Sequence, residues 1–254
     1  MDERKRNRVP PVFFAEETGS SNTDLRAMAL RGAESGTVLL ARRQSAGRGR
    51  QGRSFLSPEG GLYLSYLYRP RAGAEKLWTL TGLTATVLCD TLSAMGAADC
   101  RIKWPNDVIL EERKLAGILT ETVWQGEEAA VIIGVGLNVN TCSFPAELSD
   151  IATSLSLSTG RDWPTEALSE ALIARMDAAL SRWERDEGYF LPHYRALWPH
   201  EGRQVLVQGR EAVAMGIGDD LSLLVAYPDG SREALRFGEV TVKGLYAEGS
   251  ALEG

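Results

Sequence analysis

Two histidines and three cysteines are few for a chain of 254 residues, and their scarcity excludes several kinds of site. His193 and His200 have no cluster of partner residues around them, so neither a histidine-based metal site nor a Ser-His-Asp triad is expected. Cys89, Cys100 and Cys142 are odd in number and form no C-x-x-C pair. We therefore expect reduced thiols, no disulfide framework and a cytoplasmic location.

Long apolar runs are also missing. The longest, around AAVIIGVGLNV, has about half of the roughly 20 residues that a membrane-spanning helix needs. The first ten residues, MDERKRNRVP, are charged and no apolar core follows them, so we expect no secretory signal. The net charge of -6 and the pI of about 5.2 argue against general nucleic-acid binding. Neither a membrane nor DNA is expected as a partner.

Two nucleotide-binding signatures are absent or incomplete. The sequence has no G-x-x-x-x-G-K-[ST] run, which excludes a P-loop. Gly47, Gly49 and Gly52 match the letters of G-x-G-x-x-G and follow a predicted strand, as in a dinucleotide-binding fold. In that fold the last glycine opens a helix that holds the pyrophosphate, whereas here Pro58 and Gly60 precede another strand. The context therefore argues against a Rossmann site.

The same stretch, ARRQSAGRGRQGRSF, concentrates arginine in an acidic chain. Arg42, Arg43, Arg48, Arg50 and Arg53 lie within it and no acidic residue does. Guanidinium groups bind phosphate and carboxylate in a bidentate manner, so the stretch is a candidate anion-binding loop. A solvated basic loop explains the same letters, and the loop alone does not decide between the two.

Hydrophobic spacing predicts an α+β fold. A short helix with Asn22 as N-cap, strands at 37–44 and 61–70, and a helix over 77–95 come first. A meander then follows, consisting of RIKW, VIL, LAGILTETVW and AAVIIGVG with tight turns between them, which indicates antiparallel pairing. Apolar residues at helical spacing between Pro164 and Gly188 predict a long amphipathic helix.

From about residue 203 the sequence changes to short alternating runs. Turn pairs occur at Gly218-Asp219 and Asp229-Gly230, as expected of a small all-β barrel. We place the boundary in PHEG, residues 199–202, which divides the chain into domains 1–200 and 201–254. A chain that is 44% hydrophobic and 24% charged has ample material for one large core and a small second domain.

Other candidate residues lie at strand ends. In KWPND, Pro105 forces a turn beside Lys103, Asn106 and Asp107, although Asx residues after a proline are ordinary turn chemistry. Lys114 begins the strand that contains LAGIL, where a flexible ammonium would point across the sheet or into solvent. These residues are candidates for a charged ligand, and each also has a plain structural explanation.

Glycines and small polar residues suggest a binding surface. Gly134 and Gly136 alternate with apolar residues, so both should lie on one strand face and leave it bare as a floor for a ligand. Gly117 would leave similar room, unless it marks a bulge. Ser20, Ser21 and Asn22 would offer polar groups at a helix start, where capping is the simpler explanation.

The order of these motifs is more specific than any one of them. SSN, QSAGRGRQGR, GLYLS, KWPND, KLAGIL and GVGLNVN occur in sequence, and together they resemble the biotin–protein ligases from about residue 13 to the final barrel. The resemblance implies a catalytic domain related to class II aminoacyl-tRNA synthetases, with a mixed, mainly antiparallel sheet, and an SH3-like C-terminal barrel. It also implies two-step attachment of biotin to a lysine of a biotin carboxyl carrier protein domain, through biotinyl-5′-AMP, with ATP and Mg²⁺.

The resemblance also assigns site residues. The biotin-binding positions would be Ser20, Ser21, Asn22, Gln44, Gly47, Arg48, Arg50, Lys114, Gly117, Gly134 and Gly136. The ATP-binding or adenylate-binding positions would be Arg48, Arg50, Arg53, Phe55, Lys103, Asn106, Lys114, Asn138 and Lys243. The catalytic residues would be Lys114, Arg48 and Arg50, and Asp107 would contact Mg²⁺.

Two features depart from the family or qualify it. Phe55 stands where relatives often have a tryptophan as the adenine platform, so stacking is retained with a smaller face. About a dozen residues precede the first motif, too few for the winged helix-turn-helix of relatives that repress transcription. We therefore expect a monofunctional ligase without DNA binding. A homodimer, paired through an exposed edge strand beside AAVIIGVG, is possible.

Three other functions compete with a biotin ligase. A lipoate or octanoate transferase on the same scaffold would need a long apolar slot for its acyl chain. A non-catalytic biotin or adenylate sensor would need neither Lys114 nor an intact arginine loop. A transcription regulator would need the DNA-binding domain that the sequence lacks. The arginine loop together with the C-terminal barrel favours biotin ligation.

Overall fold

The computed structural model describes residues 11–71, 76–97, 99–238, 240–243 and 245. Residues 1–10, for which we expected no secretory signal, lie outside this range. A seven-stranded sheet has the strand order β1-β2-β3-β7-β6-β5-β4. Its strands are β1 (Val12–Thr18), β2 (Val38–Gln44), β3 (Leu62–Tyr68), β4 (Arg101–Lys103), β5 (Asp107–Leu110), β6 (Arg113–Gln125) and β7 (Glu128–Leu137).

The prediction of a mixed, mainly antiparallel sheet is confirmed. Only β1 and β2 are parallel, and every other neighbouring pair in this sheet is antiparallel. Parallel neighbours need a crossover connection, and helix α1 (Ser21–Leu30) supplies it. The sequence did not reveal β1, because its residues are mostly exposed and show no apolar alternation.

Four further helices pack on this sheet or beside it. They are α2 (Thr79–Ala94), α3 (Leu155–Thr159), α4 (Thr165–Trp183) and α5 (Leu191–Leu197). The two long helices that apolar periodicity predicted are confirmed as α2 and α4. Helices α3 and α5 were not predicted, since each is too short to show a clear apolar repeat. None of the helices in the described ranges is long and apolar enough to cross a bilayer.

The predicted helix start at Asn22 is wrong. Ser20 occupies the N-cap position and makes no side-chain cap bond, so neither residue caps α1 through its side chain. Asn22 lies within the first turn and is buried. Its amide turns away from the helix end and bonds to strand β6 instead. A tertiary contact has replaced the local capping bond that the sequence favoured.

The two faces of the large sheet are covered unequally. On one face α1 buries a small apolar cluster that includes Leu25, Leu39 and Ile132. On the other face α2 and α4 bury the main core, in which Leu88 and Trp183 are fully enclosed. Each such side chain contributes about 1.5–3 kcal/mol when it leaves water. The first face keeps polar side chains beyond the end of α1, and the candidate site lies there.

A second sheet of five antiparallel strands follows, in the order β11-β10-β9-β8-β12. Its strands are β8 (Gln204–Val207), β9 (Arg210–Ile217), β10 (Leu223–Ala226), β11 (Arg232–Leu235) and β12 (Val240–Val242). The predicted turns at residues 218–219 and 229–230 connect β9 to β10 and β10 to β11. The sheet is consistent with an SH3-like domain. Its apolar side chains join the main core, where Trp198 and Val205 lie on either side of the predicted boundary.

Candidate active site

A row of glycines crosses the centre of the large sheet. Gly117 on β6 lies directly opposite Gly136 on β7, and Gly134 lies opposite Ser65 on β3. Residues directly opposite each other point to the same face, so the prediction that Gly134 and Gly136 share a face is confirmed. This surface, Gly117, Gly134 and Gly136, is called the glycine floor below.

Side chains from other segments lie against the glycine floor. A methyl group on Gly134 would be 2.3 Å from Asn22 Oδ1, and one on Gly136 would be 2.5 Å from Phe55 Cε1. Both distances are too short for a real Cβ contact, so a larger residue at either position would displace the Asn22 amide or the Phe55 ring. The floor therefore receives Asn22 at one end and the ring of Phe55 at the other.

A β-bulge brings Lys114 to the same face. The register between β5 and β6 shifts so that Ala116 pairs with Val108 but Lys114 pairs with Ile109, which leaves Leu115 as the extra residue. Without the bulge, Lys114 and Gly117 would point to opposite faces, because side chains alternate along a strand. With it, the Lys114 ammonium lies 3.4 Å from where a Gly117 methyl would be. The bulge thus aims Lys114 over the glycine floor.

Asp107 holds the Lys114 ammonium in place. Its Oδ1 lies 2.8 Å from Lys114 Nζ, and the Asp107 side chain is only 14% exposed. The close pair is an ion pair rather than an aligned hydrogen bond, since Asp107 Oδ1 has no hydrogen-bond partner of good geometry among the described residues. Lys114 Nζ also lies 5.8 Å from the centre of the Phe55 ring. The Asp107 carboxylate therefore orients the Lys114 ammonium at the glycine floor.

A polar network occupies the α1 end of the floor. Gln44 Oε1 accepts from the Ser21 backbone N–H at 2.9 Å, and Gln44 Nε2 donates to Ser57 Oγ at 2.8 Å. Ser65 Oγ lies 2.8 Å from Ser21 Oγ and 2.7 Å from Asn22 Oδ1. Of these residues, Ser21, Asn22 and Gln44 were predicted. Ser57 and Ser65 were missed, and only strand alternation in GLYLS could have indicated Ser65.

Each serine hydroxyl has a single hydrogen, which limits which groups can donate and which must accept in this network. Ser65 has one hydrogen to donate, and Asn22 Oδ1 can only accept it. Ser65 therefore donates to Asn22. The Ser21 hydroxyl lies 3.0 Å from Gln44 Oε1 and 2.8 Å from Ser65 Oγ, and Gln44 Oε1 also accepts from the Ser21 backbone N–H. These shared hydrogen bonds connect side chains from α1, β2 and β3, which makes the network a preorganised polar wall for a ligand.

The arginine loop folds back on itself beside the floor. Arg48 pairs with Ser54 as an antiparallel bridge, and the backbone N–H of Gly49 donates to the carbonyl of Arg53 at 2.7 Å. A methyl group on Gly47 would be 2.3 Å from the Phe55 carbonyl, so the loop closes tightly there. Gly47 is buried, whereas Arg48 and Arg53 are exposed.

Arg50 connects the loop to two distant segments. Its Nη1 donates to Asn106 Oδ1 at 3.2 Å, and its Nη2 donates to the Gly238 carbonyl of the second sheet at 3.4 Å. Asn106 is itself held by β6, because its Nδ2 donates to the Ile118 carbonyl. A groove of about 350 Å³ opens beside these residues and is also lined by Trp124 and Phe237. The KWPND turn and the loop therefore meet.

Three predicted nucleotide-binding residues lie elsewhere or serve other contacts. Asn138 is buried and donates to the Thr153 carbonyl at 3.0 Å, which secures the segment beside Lys114. Lys243 forms a 2.6 Å ion pair with Glu211 within the second sheet. Lys103 is half-buried on β4, and it helps to lower the pKa of His200. These contacts do not test a role in nucleotide binding, which stays a prediction for all three.

The described residues contain no group of three His, Cys, Asp or Glu side chains that could hold a metal ion. Asp107 offers one carboxylate at the site, and Lys114 already pairs with it. Mg²⁺ commonly binds through one or two carboxylates together with substrate phosphates. The residues present therefore suit a metal ion that enters with a nucleotide and do not suit an all-protein metal site.

Comparison with known proteins places this chain in a family. The model of the Biotin/lipoate A/B protein ligase family matches residues 15–138, which include the arginine loop, Lys114 and the glycine floor. A biotin--[acetyl-CoA-carboxylase] ligase of Paracoccus denitrificans is 31% identical over 236 residues, covering 87% of this chain and 97% of that protein. The chain belongs to this family.

Two further relatives indicate the extent of the similarity. The bifunctional ligase/repressor BirA of Bacillus spizizenii is 40% identical over 155 residues, which are 59% of this chain and 47% of that protein. The chain thus spans about half the length of the first curated relatives that it matches. A biotin protein ligase from Aquifex aeolicus, solved in complex with biotin and ATP, superposes with a TM-score of 0.81 at 28% identity. The superposition covers 91% of this chain and 98% of that one.

Proposed function

We propose that the protein is an ATP-dependent biotin–protein ligase. In the first step a biotin carboxylate oxygen attacks the α-phosphorus of ATP, the bond to the β-phosphate breaks, and pyrophosphate leaves. In the second step a carrier lysine amine attacks the acyl carbon of biotinyl-5′-AMP. An amide forms, AMP leaves, and the amine gives up a proton. The acceptor would be a biotin carboxyl carrier protein domain, as the name of the Paracoccus relative suggests.

The observation that carries this proposal is the arrangement along one sheet face. The polar network lies at Gly134, and Lys114 and Phe55 lie at Gly117 and Gly136. The arginine loop lies beside the glycine floor, where Arg48 pairs with Glu121 of β6. A flat bicyclic head group with a carboxylate tail suits this order, because its polar edge would meet the network and its carboxylate would meet cations. The described part of the site offers hydrogen-bonding groups at both ends of such a ligand.

Lys114 would act where charge develops. The transfer of an adenylyl group places negative charge on the α-phosphate oxygens, and a fixed ammonium stabilises that charge more in the transition state than in the substrate. Asp107 would orient Lys114, and Arg48, Arg50 and Arg53 would hold the carboxylate and phosphates in line. The glycines of the loop would let it open and close around the ligand.

Mg²⁺ belongs to the proposal as a companion of ATP. It would neutralise the triphosphate and favour departure of pyrophosphate, with Asp107, which lies beside Lys114, as its carboxylate ligand. Phe55 would supply an aromatic face for adenine. Asn106 lies against Arg50, which supports its place beside the nucleotide.

A lipoate or octanoate ligase is the nearest alternative, because the family model covers both kinds of enzyme. The deciding experiment is exchange of labelled pyrophosphate into ATP, run in parallel with biotin, lipoate and octanoate. It isolates the adenylation step and needs no carrier. We expect exchange with biotin alone. Exchange with lipoate instead would reject biotin as the substrate, and biotin binding without any exchange would favour a sensor.

Several predictions from the sequence stay untested. They are a cytoplasmic location, a lack of DNA binding and a possible homodimer. Residues 119–125 of β6, the strand beside AAVIIGVG, pair only with β7 among the described strands, so an edge of the expected kind exists. Operator-dependent retardation of DNA by purified protein at physiological salt would contradict the expected lack of DNA binding.

A further inference from the structure

Glu121 belongs to none of the sequence motifs, yet it joins two parts of the candidate site. It lies on β6 and points to the same face as the glycine floor. Its Oε2 accepts from Asn22 Nδ2 at 3.0 Å, and its Oε1 lies 3.2 Å from Arg48 Nη1. The Glu121 side chain is only 24% exposed. One carboxylate thus contacts both the polar network and the arginine loop.

The hydrogen bonds that Asn22 already makes leave it only an acceptor to offer to a ligand. Its two Nδ2 hydrogens are used by the Leu119 carbonyl at 3.2 Å and by Glu121. Its Oδ1 accepts one hydrogen bond, from Ser65. An amide oxygen has two lone pairs, so Asn22 offers one remaining acceptor and no donor. A ligand that contacts Asn22 must therefore present an N–H or O–H group.

This polarity depends on Glu121. A carboxylate only accepts hydrogen bonds, so it rejects the flipped amide, in which Asn22 Oδ1 would face two acceptors at once. Without that charge, the Leu119 carbonyl alone of these two acceptors would oppose rotation, so a larger fraction of Asn22 would present its Nδ2 to the ligand. The ureido group of biotin has N–H groups on both sides of its carbonyl, and a donor facing a donor would be repelled. The orientation of Asn22 thus becomes a determinant of specificity.

We propose that Glu121 is a positioning residue that fixes the Asn22 amide for a ureido N–H and holds Arg48 beside the same ligand. This inference rests on the proposed biotin-ligase function. Glu121 touches no reacting atom; it acts through Asn22 and Arg48. A bound ligand would thereby be connected to one partly buried carboxylate, through Asn22 at its ring end and through Arg48 at its carboxylate end.

The test uses Glu121→Gln, which keeps the shape of the side chain and removes its charge. The matched control is Glu59→Gln, which removes the carboxylate partner of Arg42, an arginine from the same stretch that faces solvent. Biotin affinity is measured by isothermal titration calorimetry, kcat and the biotin KM by pyrophosphate exchange, and folding by the thermal midpoint. We expect the biotin Kd and KM of Glu121→Gln to rise about tenfold.

The remaining readouts separate positioning from simple stability. The kcat of Glu121→Gln should stay within about threefold of the wild type, because the charge at Lys114 is untouched, and Glu59→Gln should match the wild type in every measurement. A biotin Kd within twofold of the wild type would overturn the inference, as would an equal loss in the Glu59→Gln control. A fall in kcat with unchanged KM would overturn it too, since Glu121 would then act on the chemical step.

Failure of the proposed function gives a different pattern. If the wild-type protein binds biotin but exchanges no pyrophosphate, the ligase function fails, while the calorimetric comparison of Glu121→Gln with wild type still decides the role of Glu121. If the wild-type protein binds no biotin, both proposals fail together.

Discussion

Arginines from one short stretch of sequence have two different environments. Arg42 on β2 pairs with Glu59, and the two side chains are 52% and 60% exposed. Arg48, six positions later, is 47% exposed, but its partner Glu121 is only 24% exposed and belongs to the polar network. The difference therefore lies in the partner and not in the arginine. Exposed ion pairs contribute about 0–1 kcal/mol to stability. The exposed Arg42–Glu59 pair, called the outer pair below, therefore serves solubility more than structure, and the Arg48–Glu121 pair is called the inner pair.

The comparison teaches how a charged residue becomes functional. Arg43 repeats the outer pattern, with Glu17 as an exposed partner. Arg50 repeats the inner pattern, because it bonds to Asn106 and to the second sheet. The inner contacts come from segments that are distant in sequence: Glu121 on β6, Asn106 in the turn before β5, and Gly238 after β11. An inner cation is therefore held against the site, whereas an outer cation is held against solvent.

Removing the innermost cation should have the largest effect. Lys114→Ala is expected to lower the kcat of pyrophosphate exchange about 1000-fold, because, in the proposed mechanism, the charge that develops on the α-phosphate would lose the cation that stabilises it. Biotin affinity, measured by calorimetry, should change little. Arg113→Ala, which removes the adjacent cation paired with exposed Glu111, is the matched control. Equal losses of binding and exchange in Lys114→Ala would show that the role of Lys114 is misassigned.

The direct test of the comparison substitutes one arginine from each group. Arg50→Ala should lower the kcat/KM of exchange about 100-fold, because in the proposed mechanism Arg50 would donate to the carboxylate and phosphates. Arg42→Ala should stay within about twofold of the wild type, since its pair is exposed and screened. Exchange assays at equal ionic strength check both. If the two variants lost activity equally, inner and outer arginines would not differ in function.

Burial also changes the titration of His200. His200 is 2% exposed, neither ring nitrogen has a hydrogen-bond partner among the described residues, and burial, with Arg203 and Lys103 nearby, lowers its pKa from 6.5 to about 4. The unfolded chain binds this proton first as pH falls, so the stability is complete above pH 6.5 and is lost towards pH 4.

Replacing His200 with phenylalanine tests whether its lowered pKa contributes to stability. The free energy of unfolding of the wild type should fall by about 2 kcal/mol from this group between pH 7.5 and pH 5. In His200→Phe the free energy of unfolding should not show this fall of about 2 kcal/mol. Urea denaturation of both proteins at the two pH values measures the difference, and parallel pH dependences would contradict the assignment.

The glycine floor should give the smallest of these effects. Gly136→Ala places a methyl group 2.5 Å from Phe55 Cε1, so the ring must move and the ligand surface changes. We expect the KM for ATP or biotin to rise about tenfold, with kcat changed less. Gly19→Ala is the control, because an added methyl there meets no atom within 4 Å. A Gly136→Ala enzyme with unchanged KM values would show that no ligand uses this part of the floor.

Much of the fold followed from local patterns. The central strands, helices α2 and α4, the turns of the second sheet and the shared face of Gly134 and Gly136 were all predicted, because each depends on periodicity within one segment. Strand β1 and the short helices were missed because they carry no such periodicity. The role of Asn22 was predicted as capping and was wrong, because a contact with β6 outcompeted the local bond.

The sequence by itself determined which chemical groups the site could contain: arginines in a glycine-rich loop, a lysine at a strand start and a bare strand face. Only the tertiary structure decided how they combine. The bulge at Leu115 aims Lys114 at the glycine floor, and Glu121 meets Asn22 across about a hundred positions of the chain. Both depend on strand register and on packing between distant segments. Local spacing predicts which face of its own strand or helix a residue occupies. It does not predict strand register or which distant residue will lie opposite, so it could reveal neither the bulge nor the Glu121–Asn22 contact.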